Sequence, residues 1–142
     1  MGMETGREQV TEEPPRQPGI IGVFNRAAST YDRIGPRVFS HFGQRLVDVV
    51  HLAPGAHVLD VATGRGAVLF PAATQVGPHG RVIGIDVSEA MVQETAAELH
   101  RAAGLQAEVR QMDAAQLDFP EASFDKPEDT RLLEPSGADV IR

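Results

Sequence analysis

The stretch that decides the fold is Val58-Leu59-Asp60-Val61-Ala62-Thr63-Gly64-Arg65-Gly66-Ala67. It contains an apolar run with an acid near its end, a glycine loop over residues 62–66, and the start of a helical pattern. In a parallel α/β sheet this order marks a strand end, a tight turn and a helix N-terminus that together hold a nucleotide-like ligand. The stretch therefore predicts a buried strand whose carboxyl end carries a ligand-binding loop.

Two further stretches after the glycine loop also have the character of strands. Residues 81–86 form an apolar run that ends in Asp86, and residues 107–112 alternate in polarity and are followed by Asp113. Together with residues 57–62 they predict three strands, each of which ends in or beside an acid. This repetition is typical of one mononucleotide-binding half of a doubly wound sheet.

Helical patterns connect the three predicted strands. The pattern after the glycine loop covers about residues 67–75, where Pro71 predicts a short or kinked helix. The next helix begins after Ser88, which is a favourable N-cap, and ends before Gly104. The order strand, helix, strand, helix, strand predicts an α/β fold, a doubly wound sheet with right-handed crossovers.

Two amphipathic helical patterns precede the first strand, and we expect both helices to pack on the sheet. The first carries apolar residues at helical spacing, namely Phe24, Ala27, Ala28 and Tyr31. The second follows Gly35-Pro36, is slightly weakened by Gly43, and has an apolar face formed by Val38, Phe39, Phe42, Leu46, Val49 and Val50. Polar residues of the first helix are also candidates to line a pocket: Asn25, Arg26, Ser29, Tyr31 and Asp32.

Composition excludes several classes of function. With 142 residues, of which 42% are hydrophobic and 23% charged, the chain resembles one soluble globular domain. Its formal net charge of −7 argues against a nucleic-acid partner. The absence of cysteine excludes disulfides, a thiolate nucleophile and cysteine zinc sites. No apolar run reaches the roughly 18 residues of a membrane helix, so we expect no membrane partner and a cytoplasmic location.

The N-terminal residues and the histidines contribute little to a predicted site. Residues 1–19 are rich in Glu, Pro and Gly with almost no apolar side chains, a composition that predicts a disordered tail. The histidines show no spacing typical of metal ligands, and we expect no metal site. They are His41, His51, His57, His79 and His100.

The glycine loop is an incomplete match to the dinucleotide pattern G-x-G-x-x-G. Gly64 and Gly66 supply the first two glycines, but Leu69 occupies the third position, which argues against an NAD- or FAD-dependent oxidoreductase. Asp86 follows Gly66 by 20 residues, about where an acid binds the ribose hydroxyls in such folds. The alternative role of Asp86 is that of an acid at a helix N-terminus.

Two other acids are candidates for the same ligand. Asp60 lies beside the glycine loop and is placed to attract a ligand ammonium group; a purely structural role is the alternative, because a buried acid is unfavourable unless paired. Asp113 is placed to meet an exocyclic amine of a base, or else is a simple turn aspartate.

Residues 52–66, 80–91 and 111–125 together resemble the class I S-adenosylmethionine-dependent methyltransferases, and most closely the branch with the ubiquinone and menaquinone C-methyltransferases. Residues 24–32 resemble the cap-helix motif of that branch. The resemblance covers residues 20–125 and implies a Rossmann-like doubly wound methyltransferase fold with N-terminal cap helices. It also implies S-adenosylmethionine as the cofactor and a small molecule as the methyl acceptor.

The resemblance also implies a role for each matching residue. Residues beside the methionine and ribose portions would be Asp60, Ala62, Thr63, Gly64 and Gly66, with Tyr31 approaching from the cap. Asp86 would bind both ribose hydroxyls, whereas the adenine would lie near Val87, Met91, Asp113 and Ala114. Ala62 replaces a commoner glycine, and Arg65 occupies a position that often holds a small residue. No catalytic base is assigned.

The resemblance ends at Asp125. The family continues there into a fourth strand beside the first, but residues 126–131 contain Pro127 and four charged side chains, which disfavour a central strand. We therefore predict a fold truncated after its third strand, with an atypical tail over residues 126–142. The exposed edge of the first strand would pair either with residues 138–141 of the same chain or with another chain, which would give a homo-oligomer. A non-catalytic cofactor-binding or interaction module is the alternative function.

Overall fold

A computed structural model describes residues 19–33 and 37–125 of the chain. Its parallel sheet has the order β1-β2-β3, formed by β1 (His57–Val61), β2 (Arg81–Asp86) and β3 (Ala107–Gln111). The helices are α1 (Ile20–Ala27), α2 (Val38–Val50), α3 (Leu69–Val76) and α4 (Glu89–Arg101). This element order confirms the predicted α/β unit of strands joined by helical crossovers.

Both faces of the sheet are covered, because alternate strand residues point to opposite sides. On one face, the helices bury a cluster that consists of Val47, Leu52, Val58, Leu69, Ala72, Ala73, Val76 and Val82. On the other face, Met112, Phe119 and Phe124 pack on a second cluster formed by Leu59, Val61, Ile83 and Ile85. The sheet therefore has a core on each side, with helices on one side and the segment after β3 on the other.

The helices differ from the predicted ranges at some ends. α1 ends at Ala27, before Tyr31, and the chain continues in a turn in which the Thr30 and Tyr31 amides both donate to the Ala27 carbonyl (3.0 and 2.8 Å). α3 begins at Leu69, so Pro71 lies in its first turn, where a helix needs no amide donor. Ser88 is the N-cap of α4, as predicted. Among the described residues, no helix is both long and apolar enough to cross a membrane.

The packing face of α2 differs from the predicted apolar stripe. A Cβ atom on Gly43 would lie 2.0 Å from the Ala67 carbonyl oxygen, so the helix makes its closest approach at this glycine. Gly43 is therefore a close-contact residue and not simply a weak point in the helix. This approach turns Val47 into the core and leaves Phe39, Phe42 and Val49 more than half exposed, at 53%, 64% and 53%.

The outer edge of β1 receives the last described residue of the chain. The Asp125 amide donates to the His57 carbonyl (2.8 Å), and the His57 amide donates to an Asp125 carboxylate oxygen (2.7 Å). Within the described residues, no strand pairs with this edge. The predicted disordered tail, apart from Gly19, and the atypical segment 126–142 lie outside the described residues and stay predictions.

Candidate functional site

A cavity of about 360 Å³ lies where the carboxyl ends of β1 and β2 meet the cap segment, which comprises residues 20–33. Its volume falls in the range of small-molecule sites, about 300–1,000 Å³. Seven of the eleven predicted site residues line it: Tyr31, Ala62, Thr63, Gly64, Asp86, Val87 and Met91. The fold thus brings most of the predicted site together around one cavity.

Asp86 connects the glycine loop to the helix after β2. One carboxylate oxygen accepts the Gly64 amide and the other accepts the Ser88 amide, each at 2.9 Å. A carboxylate has about four acceptor positions, so two remain for a ligand at this half-buried residue. Asp86 therefore lies before a helix N-terminus and on the cavity wall, and its binding of ribose hydroxyls stays a prediction.

Asp60 lies under the glycine loop and is 4% exposed. Its carboxylate accepts the Thr63 hydroxyl at 2.7 Å. Burial raises the pKa of Asp60 to about 6, and the nearby Asp86 carboxylate acts in the same direction, whereas hydrogen bonds from Thr63 and the Leu69 amide oppose them. Ionisation of Asp60 is therefore unfavourable in the free protein, and a cation beside the carboxylate would favour the ionised form.

The backbone of the glycine loop is held from both sides. The Thr63 amide donates to the Ile85 carbonyl of β2 (3.0 Å), and the Thr95 hydroxyl of α4 donates to the Gly64 carbonyl (2.7 Å). Gly64 and Gly66 have φ values of 51° and 79°, which glycine adopts readily. The loop is therefore a preformed element that presents its backbone to the cavity.

Ala62 also has a positive φ, of 57°, although it carries a Cβ. For an L-residue the left-handed region costs about 1–2 kcal/mol. Replacement by glycine removes this cost, but about 0.5–1 kcal/mol of the benefit is lost because glycine raises the entropy of the unfolded chain. We expect Ala62→Gly to raise the free energy of unfolding by about 0.5–1 kcal/mol, measured by urea denaturation. Ala115→Gly is a control at an exposed turn residue without a positive φ, where glycine should give no gain. A fall in the free energy of unfolding on Ala62→Gly would contradict the inferred backbone strain at Ala62.

Gly84 is a site residue that the sequence did not indicate. It lies in the middle of β2, and a Cβ atom there would be 2.8 Å from the Thr63 hydroxyl and 2.9 Å from its methyl group. The missing side chain therefore makes room for Thr63, which in turn binds Asp60. No signal in the sequence separates this glycine from a weak point in a strand, since the contact depends on how the loop folds back over β2.

We expect Gly84→Ala to lower the free energy of unfolding by about 1–3 kcal/mol, as overpacking of a tight core does. The same substitution should cost less in a Thr63→Ala background, because the atoms that approach most closely are then absent. A double-mutant cycle by urea denaturation measures this coupling. Additive effects of the two substitutions would contradict the contact.

The cap segment contributes an aromatic group. The Tyr31 ring stacks on Phe39, with ring centroids 5.2 Å apart, and meets Phe24 edge-on at 6.0 Å. Partial burial raises the pKa of Tyr31, and the carboxylates of Asp32 and Asp86 raise it further. Asp32 accepts the Phe39 and Ser40 amides at 3.1 and 2.7 Å and so caps α2. Of the polar residues in the predicted first helix, Tyr31 and Asp32 line the cavity.

Four predicted residues lie outside the cavity lining. Asp60 is buried beneath the glycine loop, and Gly66 is a buried residue at the end of that loop. Asp113 and Ala114 are exposed after β3. The Asp113 carboxylate accepts the Ala115 amide at 2.8 Å in a turn. The Met112 amide donates to the Asp86 carbonyl (3.0 Å), so this turn adjoins the cavity edge. A contact of Asp113 with a base stays a prediction.

Arg65 was noted in the sequence only as a departure from a family pattern. Its side chain is 6% exposed and lines the cavity. One terminal nitrogen donates to the Ala28 carbonyl at 2.6 Å and the other to Glu98 at 2.8 Å. The sequence did contain a signal for this contact. Glu94 and Glu98 lie four residues apart, on one face of the predicted helix, and could together pair with a buried cation.

Comparison with known proteins points to one enzyme class. The methyltransferase-domain family matches residues 58–126. Nocamycin O-methyltransferase of Saccharothrix syringae is 50% identical over 103 residues, which are 72% of this chain and 37% of that protein. Aklanonic acid methyltransferase DauC of Streptomyces sp. (strain C5) is 43% identical over 106 residues, or 75% of this chain and 48% of that protein. Demethylmenaquinone methyltransferases are also among the relatives, as the predicted branch requires.

The fold has the same relatives. The crystal structure of a SAM-dependent methyltransferase from Aquifex aeolicus superimposes with a TM-score of 0.59 and 24% identity, and the match covers 76% of this chain and 55% of that one. At this identity the likeness concerns the fold, which is the predicted Rossmann-like methyltransferase fold in shortened form. The chain spans between 37% and 48% of the length of the two curated relatives named above.

Proposed function

Because this chain belongs to the class I S-adenosylmethionine-dependent methyltransferases, we propose that residues 20–125 bind S-adenosylmethionine and serve methyl transfer to a small molecule. The observation that carries this proposal is the position of Asp86. Its carboxylate lies at the end of β2, joins the glycine loop to the N-terminus of α4, and lines the cavity.

The ribose of the cofactor would bind at Asp86. Vicinal hydroxyls are two donors a short distance apart, and a carboxylate with two free acceptor positions matches them. The hydrogen bonds from Gly64 and Ser88 already fix the carboxylate plane. Little side-chain entropy is then lost on binding, which favours affinity.

The ammonium group of the methionine portion would bind near Asp60. This buried acid has a pKa raised to about 6 by burial, so a nearby cation would lower the free energy of its ionised form. Thr63 and Gly64 line the cavity above it and would contact the same portion of the ligand. The residues present therefore fit a cofactor that has a cationic end and a ribose diol.

The adenine would lie between apolar side chains at the start of α4. Val87 and Met91 line the cavity there, and Met91 is 1% exposed. Thioether and aliphatic groups pack well on flat rings. Asp113 and Ala114, in the turn that follows β3, would then meet the amine edge of the ring.

When bound, S-adenosylmethionine supplies an electrophilic methyl group on a sulfonium sulfur. The contribution of this chain is to hold the donor in a fixed orientation, since methyl transfer depends on alignment of the nucleophile with the methyl group. Tyr31 would close the methionine end from the cap segment. No side chain of the described residues is assigned as a base.

A small-molecule acceptor is supported by the relatives that are named for nocamycin and for aklanonic acid. The chain spans under half of the length of either relative.

Calorimetric titration with S-adenosylhomocysteine, set against NAD, tests cofactor binding. We expect heat of binding with the first ligand and none with the second. The reverse result would contradict the proposal and favour a nucleotide-dependent oxidoreductase. A methyl-transfer assay with labelled cofactor over a panel of phenols, carboxylic acids and amines then tests turnover.

The alternative function, a non-catalytic module that assembles with another chain, is favoured by the edge of β1. Asp125 and His57 are hydrogen-bonded at the start of that edge, and no described strand pairs with the rest of it. Light scattering after size-exclusion chromatography tests the assembly. A monomer that transfers methyl groups would contradict the alternative.

A further inference from the structure

Arg65 joins three parts of the molecule from inside the glycine loop. Its backbone lies between Gly64 and Gly66, and its guanidinium group reaches the Ala28 carbonyl at 2.6 Å and Glu98 at 2.8 Å. Glu94 lies 4.0 Å from the same group. Ala28 is the C-cap of α1 and Glu98 belongs to α4, so one side chain links the loop, the cap segment and the helix that borders the cavity.

The bond to Ala28 has a clear electrostatic basis. The last carbonyl groups of a helix lack intrahelical donors and carry the negative end of the helix dipole. A guanidinium group there satisfies one carbonyl and meets the favourable end of the dipole. The bond therefore holds the C-terminal end of α1, which leads directly into the turn that carries Tyr31.

A second residue near the C-terminal end of α1, Asn25, also makes a polar contact. Asn25 accepts the Ala90 amide at 3.2 Å and also accepts the Ser88 hydroxyl, so it binds the N-terminus of α4. The cap segment thus has one polar contact with the start of α4 through Asn25 and a second, through Arg65, with the glycine loop. Of the two, the Arg65 contact is nearer to Tyr31 in the chain.

Burial of Arg65 is weak evidence for a contribution to global stability. Its Nε atom is buried and has no hydrogen-bond partner among the described residues. Desolvation of an ion pair often outweighs its Coulomb energy, and replacement by an apolar side chain of similar size is frequently neutral or stabilising. The buried position of Arg65 is therefore better explained by the geometry that its contacts impose than by a gain in the free energy of unfolding.

We propose that Arg65 is a positioning residue that fixes the cap segment over the cavity and so slows the release of the bound cofactor. The identity of the ligand in this inference rests on the proposed function, whereas the contacts of Arg65 do not depend on it. Because Arg65 belongs to the preformed glycine loop and also contacts Ala28, the loop that would bind the ligand and the cap segment are joined through one residue. Binding and cap closure are thereby coupled.

The cap carries its own spectroscopic probe. Tyr31 is the single tyrosine of the chain, and the chain has no tryptophan. Tyrosine fluorescence of the intact protein therefore reports on the cap segment alone. Quenching by acrylamide measures how accessible Tyr31 is to the solvent, and the experiment needs no cofactor.

Arg65→Met removes both contacts while keeping a long apolar side chain in the buried space, and Glu98→Gln weakens one of them. We expect the quenching constant of Tyr31 to rise about twofold with Arg65→Met and less with Glu98→Gln, because the loss of a charge-assisted hydrogen bond frees the C-terminal end of α1. Arg81→Met is the matched control, since Arg81 also pairs with a glutamate, Glu108 at 3.1 Å, but is 52% exposed and far from the cavity.

The dissociation rate of S-adenosylhomocysteine, followed by stopped-flow displacement, tests the second half of the inference. We expect an increase of about tenfold with Arg65→Met, in line with the loss of a charge-assisted hydrogen bond. The dissociation rate for Arg65→Lys should fall between those of the unchanged protein and Arg65→Met, because one ammonium group cannot reach both Ala28 and Glu98. The midpoint of urea unfolding should stay close to the value for the unchanged protein.

The outcomes separate this inference from the proposed function. If the unchanged protein does not bind S-adenosylhomocysteine, the proposed function fails, while the Tyr31 quenching still tests the cap contact. Unchanged quenching in Arg65→Met and Glu98→Gln would overturn the inference. So would a dissociation rate that rises only in proportion to a loss of global stability, because that result indicates a purely structural role.

Discussion

Asp86→Ala is expected to weaken the binding of S-adenosylhomocysteine at least about 100-fold, since each hydrogen bond to a charged group contributes about 1.5–3 kcal/mol and two are lost. The substitution also removes the acceptors of the Gly64 and Ser88 amides. The glycine loop and the start of α4 are then no longer joined, so the remaining contacts of the ligand are less well placed. Calorimetry at constant pH measures the change.

Asp86→Asn separates the two effects. The amide side chain keeps one oxygen acceptor and the size of the carboxylate, so the loop is partly retained while the charge is lost. We expect an intermediate loss of affinity, about tenfold. Asp48→Asn is a control on an exposed acid of α2 that accepts a hydrogen bond from the Gln44 side chain. An unchanged affinity in Asp86→Ala would remove Asp86 from the proposed ribose site.

The acids of the site could be predicted because their positions depend on local pattern. Apolar runs of strand length, each followed by turn or cap residues, place Asp60 and Asp86 at the carboxyl ends of parallel strands whatever the details of packing. Ser88 was predicted as an N-cap for the same reason, since a cap depends on its own helix. The helix boundaries shifted by only one to four residues.

The residues that were missed depend on contacts between elements. Gly43 and Gly84 matter because a carbonyl of Ala67 and the side chain of Thr63 approach them, and neither approach has a trace in the local sequence. The exposed face of α2 has the same cause, because periodicity predicts an apolar stripe but not the direction in which a neighbouring backbone turns it. Arg65 was visible as an unusual residue, but its partners Ala28 and Glu98 lie 37 and 33 residues away.

Asp60→Asn should stabilise the free protein at neutral pH. The pKa of Asp60 is raised from 3.8 to about 6, chiefly by burial, so the folded state binds a proton more tightly than the unfolded state. The free energy of unfolding therefore falls as pH rises from about 4 to about 6. At about 1.4 kcal/mol for each pKa unit, ionisation of Asp60 costs up to roughly 3 kcal/mol above that window.

The asparagine side chain can still accept the Thr63 hydroxyl, so the substitution removes the charge while keeping that contact. Urea denaturation of both proteins from pH 4 to pH 8 measures the difference. We expect Asp60→Asn to be more stable by about 2–3 kcal/mol at pH 8 and no more stable at pH 4. Asp118→Asn, on an exposed acid, controls for the change in net charge. A difference that does not depend on pH would contradict the raised pKa.

The same substitution should act against the ligand. A ligand ammonium beside Asp60 favours the ionised carboxylate, so binding near pH 6 releases a proton and affinity rises with pH through about 6. Asp60→Asn abolishes the proton release and weakens binding about tenfold at pH 8, where the charge pair is fully formed in the unchanged protein. Calorimetry in two buffers of different ionisation enthalpy counts the protons. Because the free protein gains stability while the complex loses affinity, the combined result identifies Asp60 as an acid whose burial is unfavourable for folding and is offset only when a cation binds.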